Sequence, residues 1–368
     1  MSEADIERRK AEHLALCAEE AVGARRRTTL LECVQLEHQA LPELRLEEID
    51  TRRRLFGKEL RAPLLVAGMT GGHRRAAEVN RALAAVAERR GYAFGLGSQR
   101  ALLTDPSLGW TYQVREVAPE VLLFGNLGLV QARELSSEQL ARMAREVGAD
   151  ALCLHMNPAM ELVQPGGDRD FRGGVATLRR CVEDLELPVI AKETGCGIGR
   201  EAARRIREAG VQWVDVSGAG GTSWVGVETL RAEGAAARLG ELLWDWGVPT
   251  AASVLNVRAE GLRAIATGGI RHGLDAARAL ALGADLVGLA RPVLQAFFEG
   301  GEAAVERFLD EVETQLRAVM LLTGARDLRA LARVPRWLTG ELRDRTEETA
   351  WQAFDAGRTG GATQGTAR

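Results

Sequence analysis

Residues 248–255 read VPTAASVL, and whether this run is a strand or the start of a helix decides how many strands the chain has. Pro249-Thr250 followed by Ala-Ala-Ser suits a helix opening, because proline has a φ already fixed for the first turn and the cap lies among these residues. Eight other short apolar runs then remain. They are PLLVAGMTGG (63–72), YAFGLGSQR (92–100), VLLFGNLG (121–128), ALCLHMN (151–157), PVIAKETG (188–195), WVDVSGAGG (213–221), RAIATGGI (263–270) and LVGLARP (286–292). Between most of them lie Arg/Glu/Ala-rich amphipathic stretches such as 74–90, 137–147 and 200–209. Continuous apolar runs suit strands buried on both faces, and the intervening helices suit parallel crossovers. Eight such units predict an α/β chain folded as a (β/α)8 (TIM) barrel.

The rest of the chain is arranged around that core. Residues 1–60 are expected to form an N-terminal helical segment that contributes to the substrate site, with a helix around Ile6–Glu20 followed by Arg25-Arg26-Arg27. Residues 61–345 make the barrel, and 346–368 a C-terminal tail whose Gly/Thr-rich end (357–368) is expected to be disordered. The stretch 225–247 exceeds a tight βα loop and predicts an active-site excursion after the sixth strand. With 51 acidic against 48 basic residues, the charge balance excludes a nucleic-acid binder working through a basic field, and an acidic disordered tail. No apolar run approaches the ~20 residues of a membrane span. MSEADIERRKAEH (1–13) has no signal-peptide core, so a soluble, cytoplasmic protein is expected. The five cysteines form no CxxC pair and are odd in number, which argues against a disulfide framework or a structural zinc site.

Active-site residues of such a barrel lie where the strands end, at the C-terminal face. Those ends read Met69-Thr70-Gly71-Gly72, Ser98-Gln99-Arg100, Asn126, His155-Met156-Asn157, Lys192-Glu193, Ser217 with Gly220-Gly221-Thr222-Ser223, Gly268-Gly269 and Ala290-Arg291. A purely structural barrel would not need polar residues and glycines gathered there. TGGIRHG (267–273) and GLARP (288–292) fall in the last two units, where free backbone N–H groups and a helix dipole usually hold a phosphate. Two glycine-rich turns are the plainer alternative.

Lysine occurs only at Lys10, Lys58 and Lys192 among the 48 basic residues. Lys192 sits in an apolar run, where an unpaired ammonium is costly. It can meet a ligand anion or an electron-rich ring, or pair with a buried carboxylate such as Glu193. His155 and Asn157 alternate on one strand and point the same way. With Arg100, and with Arg9, Lys10 and His13 from the N-terminal helix, they suit a second polyanion, although Arg9-Lys10 also fits a solvated helix face. Glu161 follows closely and could hold Mg2+ on a diphosphate. His38, His73 and His272 read as surface or loop histidines.

RRKAEH (8–13), GMTGG (68–72), GLGSQR (95–100), NLG (126–128), HMNPAMELVQPGGDRDF (155–171), KETGCGIG (192–199), DVSGAGGTSW (215–224), DWGVPTAAS (245–253) and GGIRHGLDAARALALGAD (268–285) together resemble the type 2 isopentenyl diphosphate isomerases. The resemblance runs in order from about residue 8 to about residue 340. GAGGTSW and the HMNPAMELVQP block are specific, whereas the glycine loops are common to many FMN barrels. It implies an isomerase of isoprenoid biosynthesis that uses reduced FMN, primed by NADPH, together with Mg2+, and assembles as a homotetramer or larger. Carried over by position, Met69, Thr70, Ser98, Asn126, Lys192, Ser217 and Thr222 would surround the flavin, and Gly268, Gly269, Ala290 and Arg291 would hold its phosphate. Arg9, Lys10, His13, Arg100, His155 and Asn157 would bind the substrate diphosphate, Glu161 the metal, and Trp224 would wall the allyl group.

One position departs from the family pattern. Where the family has a glutamine before the metal-binding glutamate, implicated near the proton transfer, this chain has Met160. A thioether is a weak acceptor and donates nothing, and general acid–base help is worth ~10²–10⁴-fold. The sequence therefore allows a slow isomerase, one acting on another prenyl substrate, one relying on the flavin alone, or a flavoprotein that binds prenyl diphosphate without turnover. A 2-hydroxy-acid oxidase would need a late-strand His base with arginines, a constellation the sequence lacks. An IMP dehydrogenase-like thiol would follow the sixth strand, whereas Cys196 follows the fifth.

Overall fold

Eight parallel strands close into a barrel in chain order: β1 (Leu64–Val66), β2 (Ala93–Gly95), β3 (Leu122–Gly128), β4 (Ala151–Met156), β5 (Val189–Glu193), β6 (Trp213–Asp215), β7 (Arg263–Ala266) and β8 (Leu286–Leu289), with β8 pairing back onto β1. The structure is a computed structural model that describes residues 12–18 and 22–346. Each predicted apolar run carries one strand. The run 248–255 opens the helix Thr250–Ala259, with Pro249 at its N-cap. Helices Arg74–Arg90, Ser137–Glu146 and Arg200–Glu208 lie in the predicted amphipathic stretches.

The strands read as unbroken apolar runs because both faces are covered. All seven residues of β3 are buried. Inward-facing Leu65, Phe124, Ile190, Trp213 and Ile265 fill the barrel as one cluster. That cluster is plugged at one end by the hairpin Arg53–Leu55/Lys58–Leu60. Its two-residue turn, Phe56-Gly57, has both φ angles positive (47° and 84°), as a type I′ turn requires. The Phe56 ring reaches Trp213 at 4.8 Å and Phe124 at 5.8 Å between centroids.

That hairpin corrects the expectation of a helical segment through residue 60. Residues 12–18 are helical, but 22–60 hold no α-helix: they form the 3-10 turns Leu31–Cys33 and Leu46–Glu48, the hairpin, a strand Val34–Leu36 paired with Arg336–Leu338, and isolated bridges at Gly23 and Asp50. Apolar side chains there, Val22, Leu30, Leu31, Val34 and Ile49, are buried one by one against the barrel, without a helical period. Arg9, Lys10, most of the predicted helix Ile6–Glu20, and residues 347–368 lie outside the described residues.

The expected excursion after β6 is a helix pair, Trp224–Arg231 and Gly234–Leu243. Ser223 starts it: its Oγ accepts from the Gly226 N–H at 2.9 Å and donates to the Trp244 carbonyl at 2.6 Å. Among the described residues no helix is long and apolar enough to cross a membrane.

Candidate active site

One cleft at the C-terminal ends of the strands gathers most of the predicted site residues. Its wall includes Met69, Thr70, Ser98, Asn126, Lys192, Thr222, Ala290 and Arg291, and also Arg100, His155, Asn157, Met160, Glu161, Trp224 and His13. The cleft encloses about 1140 Å³ free of protein atoms, its open mouth included.

At its floor, Lys192 of β5 and Asp215 of β6 are register partners, and Nζ donates to Oδ2 at 2.6 Å. Of the two readings of Lys192, the buried-carboxylate pair is therefore present, but the partner is Asp215, with Lys192 still on the cleft wall. Asp215 Oδ1 also accepts from the Thr267 hydroxyl and, at 3.3 Å, from the Ser217 N–H. Glu193 points the other way: Oε2 takes the N–H groups of Thr194, Cys196 and Gly197 and so shapes the turn after β5. Burial pushes the Glu193 carboxyl up to about 8, against the pull of those donors and of Lys192.

On the wall made by β3 and β4, Asn126 Nδ2 donates to the Leu96 carbonyl, which turns its Oδ1 to His155 Nδ1 at 2.9 Å. Next to it, Asn157 Nδ2 donates to Glu161 Oε1 at 3.0 Å and lies 3.7 Å from Met160 Sδ. Glu161, 5% exposed, is held further by Gln164 Nε2 (3.2 Å) and the Asp168 N–H (2.7 Å). Arg100 stands between two carboxylates, 3.9 Å from Glu161 and 3.6 Å from Asp168. Gln131 in turn donates to Asp168 at 2.8 Å. Among the described residues no group of three potential metal ligands converges, so a cation here would take Glu161 plus oxygens of a ligand.

The helix over residues 12–18 covers the mouth. His13 Nε2 meets Glu228 Oε1 at 2.7 Å, and the His13 ring packs edge-on against Trp224 at 5.4 Å. Glu228 is fully buried; burial pushes its carboxyl up, but His13 and Arg231 outweigh this and hold it below the usual carboxylate range. Arg231 bridges Glu228 to Glu12, and Arg291 Nε donates to the Cys17 carbonyl at 2.8 Å.

Three predicted residues are not on the cleft wall. Ser217 turns its Oγ to the Gly195 N–H at 3.1 Å, from a left-handed backbone (φ 34°). Gly268 and Gly269 pack against neighbouring chain: a Cβ on Gly268 would lie 2.2 Å from the Gly218 carbonyl, and one on Gly269 2.4 Å from Thr29 Cγ2. His73, read as a surface or loop histidine, is buried and caps the helix Arg74–Arg90 by accepting from the Ala76 N–H. Sequence reasoning also missed Thr194, Gln131 and Gln164 on the wall, and Asp215 and Glu228 behind it. Thr194 had a signal: two residues from Lys192 on the same run, it shares that residue's face.

Comparison with known proteins agrees with this geometry. The family model described as FMN-dependent dehydrogenase matches residues 2–162 and 168–336. An isopentenyl-diphosphate delta-isomerase from Methanosarcina mazei is 43% identical over 360 residues, 96% of this chain and 98% of the relative. Proteins of the same name from Methanothermobacter thermautotrophicus and a Synechococcus strain are each 44% identical, over 91% and 90% of this chain and 94% and 96% of theirs. Among solved structures, a mandelate oxidase variant with a monooxide FMN adduct has a TM-score of 0.61 at 22% identity, over 91% of this chain and 100% of that one. A Pediococcus acidilactici lactate oxidase has a TM-score of 0.64 at 19% identity, over 92% and 94%. These two likenesses concern the fold alone. The fold and the cleft define a barrel of the FMN-dependent dehydrogenase class. Within that class the chain belongs to the isopentenyl-diphosphate delta-isomerase family.

Proposed function

We propose that this cleft interconverts isopentenyl and dimethylallyl diphosphate over reduced FMN. The observation that carries the reading is that one cleft joins the Lys192–Asp215 pair to a diphosphate-sized set of donors, Arg100, His155 and Asn157, beside the buried Glu161 carboxylate. The residues suit FMN. Thr70, Ser98 and Asn126 offer hydrogen bonds on one wall, and Lys192 offers a positive charge at the floor. Reduced FMN supplies a flat, electron-rich surface and a place for proton exchange beside a substrate that becomes cation-like.

The chain's own residues do the rest. Arg100, His155, Asn157 and His13 bind and orient the diphosphate, and Arg9 and Lys10 join them in this proposal. Glu161 would hold a Mg2+ ion that accompanies the diphosphate and would offset its charge. Met69, Thr222, Ala290 and Arg291 border the cofactor on the wall, while Ser217, Gly268 and Gly269 support it from behind. Trp224 walls the prenyl carbons and, with the helix over 12–18, excludes water. NADPH serves as the reductant that primes the flavin, and the protein works in the cytoplasm as a homotetramer or larger.

Anaerobic proton NMR of isopentenyl diphosphate in D2O, with FMN, NADPH and Mg2+, tests the reading. Dimethylallyl diphosphate should appear. Binding of both FMN and substrate without product would replace isomerisation with the binding-only reading, which Met160 favours.

A further inference from the structure

A second cavity lies at the N-terminal end of the barrel, opposite the cleft. It opens between the hairpin at Arg53, the end of the helix Thr250–Ala259, the turn before β8 and the short helix Leu328–Leu331. It encloses about 660 Å³ free of protein atoms, its open mouth included. Its charged lining is four arginines, Arg53, Arg258, Arg329 and Arg333, against the single carboxylate of Asp285. That carboxylate is buried and already taken. Its Oδ1 accepts from Arg53 and, at 2.6 Å, from Arg263 at the start of β7, while Arg258 Nη1 lies 3.8 Å from Oδ2. Arg263 is fixed further by stacking over the Trp213 ring at 4.6 Å. Neither Arg329 nor Arg333 has a side-chain hydrogen bond or ion pair among the described residues.

The crowding is felt at Arg53. Burial holds its guanidinium below the ordinary range; Asp285 opposes that shift, and Arg263 and Arg329 add to it. Like charges gathered on a concave wall repel, and the field they focus there is relieved by an anion. A guanidinium presents a planar fork that takes phosphate oxygens two at a time, so several forks around one cavity suit more than one phosphate. A lone carboxylate would leave most of the surplus uncompensated. We infer that this cavity is a second anion site, separate from the cleft, for a compact polyphosphate: a free diphosphate or the diphosphate of a nucleotide. Asp285 holds Arg53 and Arg263 in place, and Arg329 and Arg333 close on the anion from the helix side. Binding then ties the hairpin, the edge of β8 and the helix Leu328–Leu331 together. None of the four lining arginines falls in the stretches that carry the family resemblance.

Calorimetric titration of the FMN-loaded protein with pyrophosphate, in phosphate-free buffer at low ionic strength, tests the site. One binding event should be weakened about 10-fold or more in Arg329→Ser/Arg333→Ser, as expected for lost charge-assisted hydrogen bonds. Arg100→Ala, in the cleft, should leave that event untouched. ADP in place of pyrophosphate separates the two sources. Equal or weaker binding gives the site to a free diphosphate, tighter binding gives it to a nucleotide, and both uphold it. Without ligand, the double variant should melt no lower than the wild type at low salt, because it loses repulsion and no partner. A lower Tm would show that the two arginines serve the fold, and would overturn the assignment. So would a pyrophosphate titration unchanged by their loss. Capture of a single-stranded oligonucleotide with no response to pyrophosphate or ADP would give the charge to a nucleic acid and overturn it too. Turnover enters none of these readouts, so the site stands or falls apart from the reaction proposed above.

Discussion

Lys192 and Asp215 face each other as register partners on adjacent barrel strands, with 2.6 Å between Nζ and Oδ2, and both side chains are nearly closed off from solvent. Burying two charges is costly, and the pair survives because Thr267 and Ser217 take up the second carboxylate oxygen. Removing one partner strands the other. Asp215→Asn is expected to cost about 3–5 kcal/mol of stability. Lys192→Met is expected to lose FMN retention as well. Urea unfolding and FMN titration of the two variants check both outcomes.

Glu228 gives the mouth a measurable pH response. Its folded carboxyl ionises below the ~4.3 of a free glutamate. Its stabilisation is therefore complete above that value and is lost as pH falls through the folded one. Glu228→Gln lacks this contribution, so its Tm should lie below that of the wild type at pH 5.5. The gap should narrow below about pH 4. The same variant leaves His13 without its carboxylate and should raise KM for the diphosphate more than it lowers kcat.

Glu161 is held by donors from Asn157, Gln164 and the Asp168 backbone, which fix its carboxylate on the cleft wall where a cation would meet it. Glu161→Gln should raise the Mg2+ concentration for half-maximal rate by 10-fold or more, since loss of the outer partners of a metal ligand alone costs ~10–100-fold. Its FMN affinity should match that of the wild type. A magnesium titration of the rate separates this from a general loss of the fold.

Cys17, Cys153 and Cys196 are not set up as nucleophiles. Burial pushes the Cys17 and Cys153 thiols up to about 12, and burial together with Glu193 raises that of Cys196 as well. Cys196→Ser should therefore retain isomerisation. At pH 8 the folded protein should release these three thiols to a disulfide reagent only as it unfolds. Rapid labelling of Cys196 would revive a thiolate mechanism.

Phe56 tests the barrel plug independently of the site. Phe56→Ala removes a ring wedged between Trp213 and Phe124, and should lower the urea midpoint while leaving kcat unchanged.

The barrel was legible because its signal is local: each strand is a continuous apolar run, and VPTAASVL declares a helix by its proline. The strand ends gave most of the cleft for the same reason. Asp215 was missed although its run was in view, because the pair with Lys192 exists only in the register between two strands 23 residues apart. Glu228 reads in sequence as an ordinary charge on an excursion helix, and only the docking of His13 and Arg231 explains its burial. The hairpin at 53–60 lacks the Asn-Gly or Asp-Gly turn that would announce it: Phe56 occupies a left-handed position because its ring is held in the barrel.

The contacts of the helix over residues 12–18 also set an order of assembly in time. His13 finds its carboxylate 215 positions later, and the Cys17 carbonyl waits 274 positions for Arg291. At ~5–20 residues per second of synthesis, the second interval is on the order of 14–55 s, during which the Cys17 end of the helix lacks its partner. An amphipathic segment left waiting that long is open to chaperones and to neighbouring nascent chains. The helix is therefore seated late, and a bulky fusion placed just ahead of it would meet the finished cleft at its entrance.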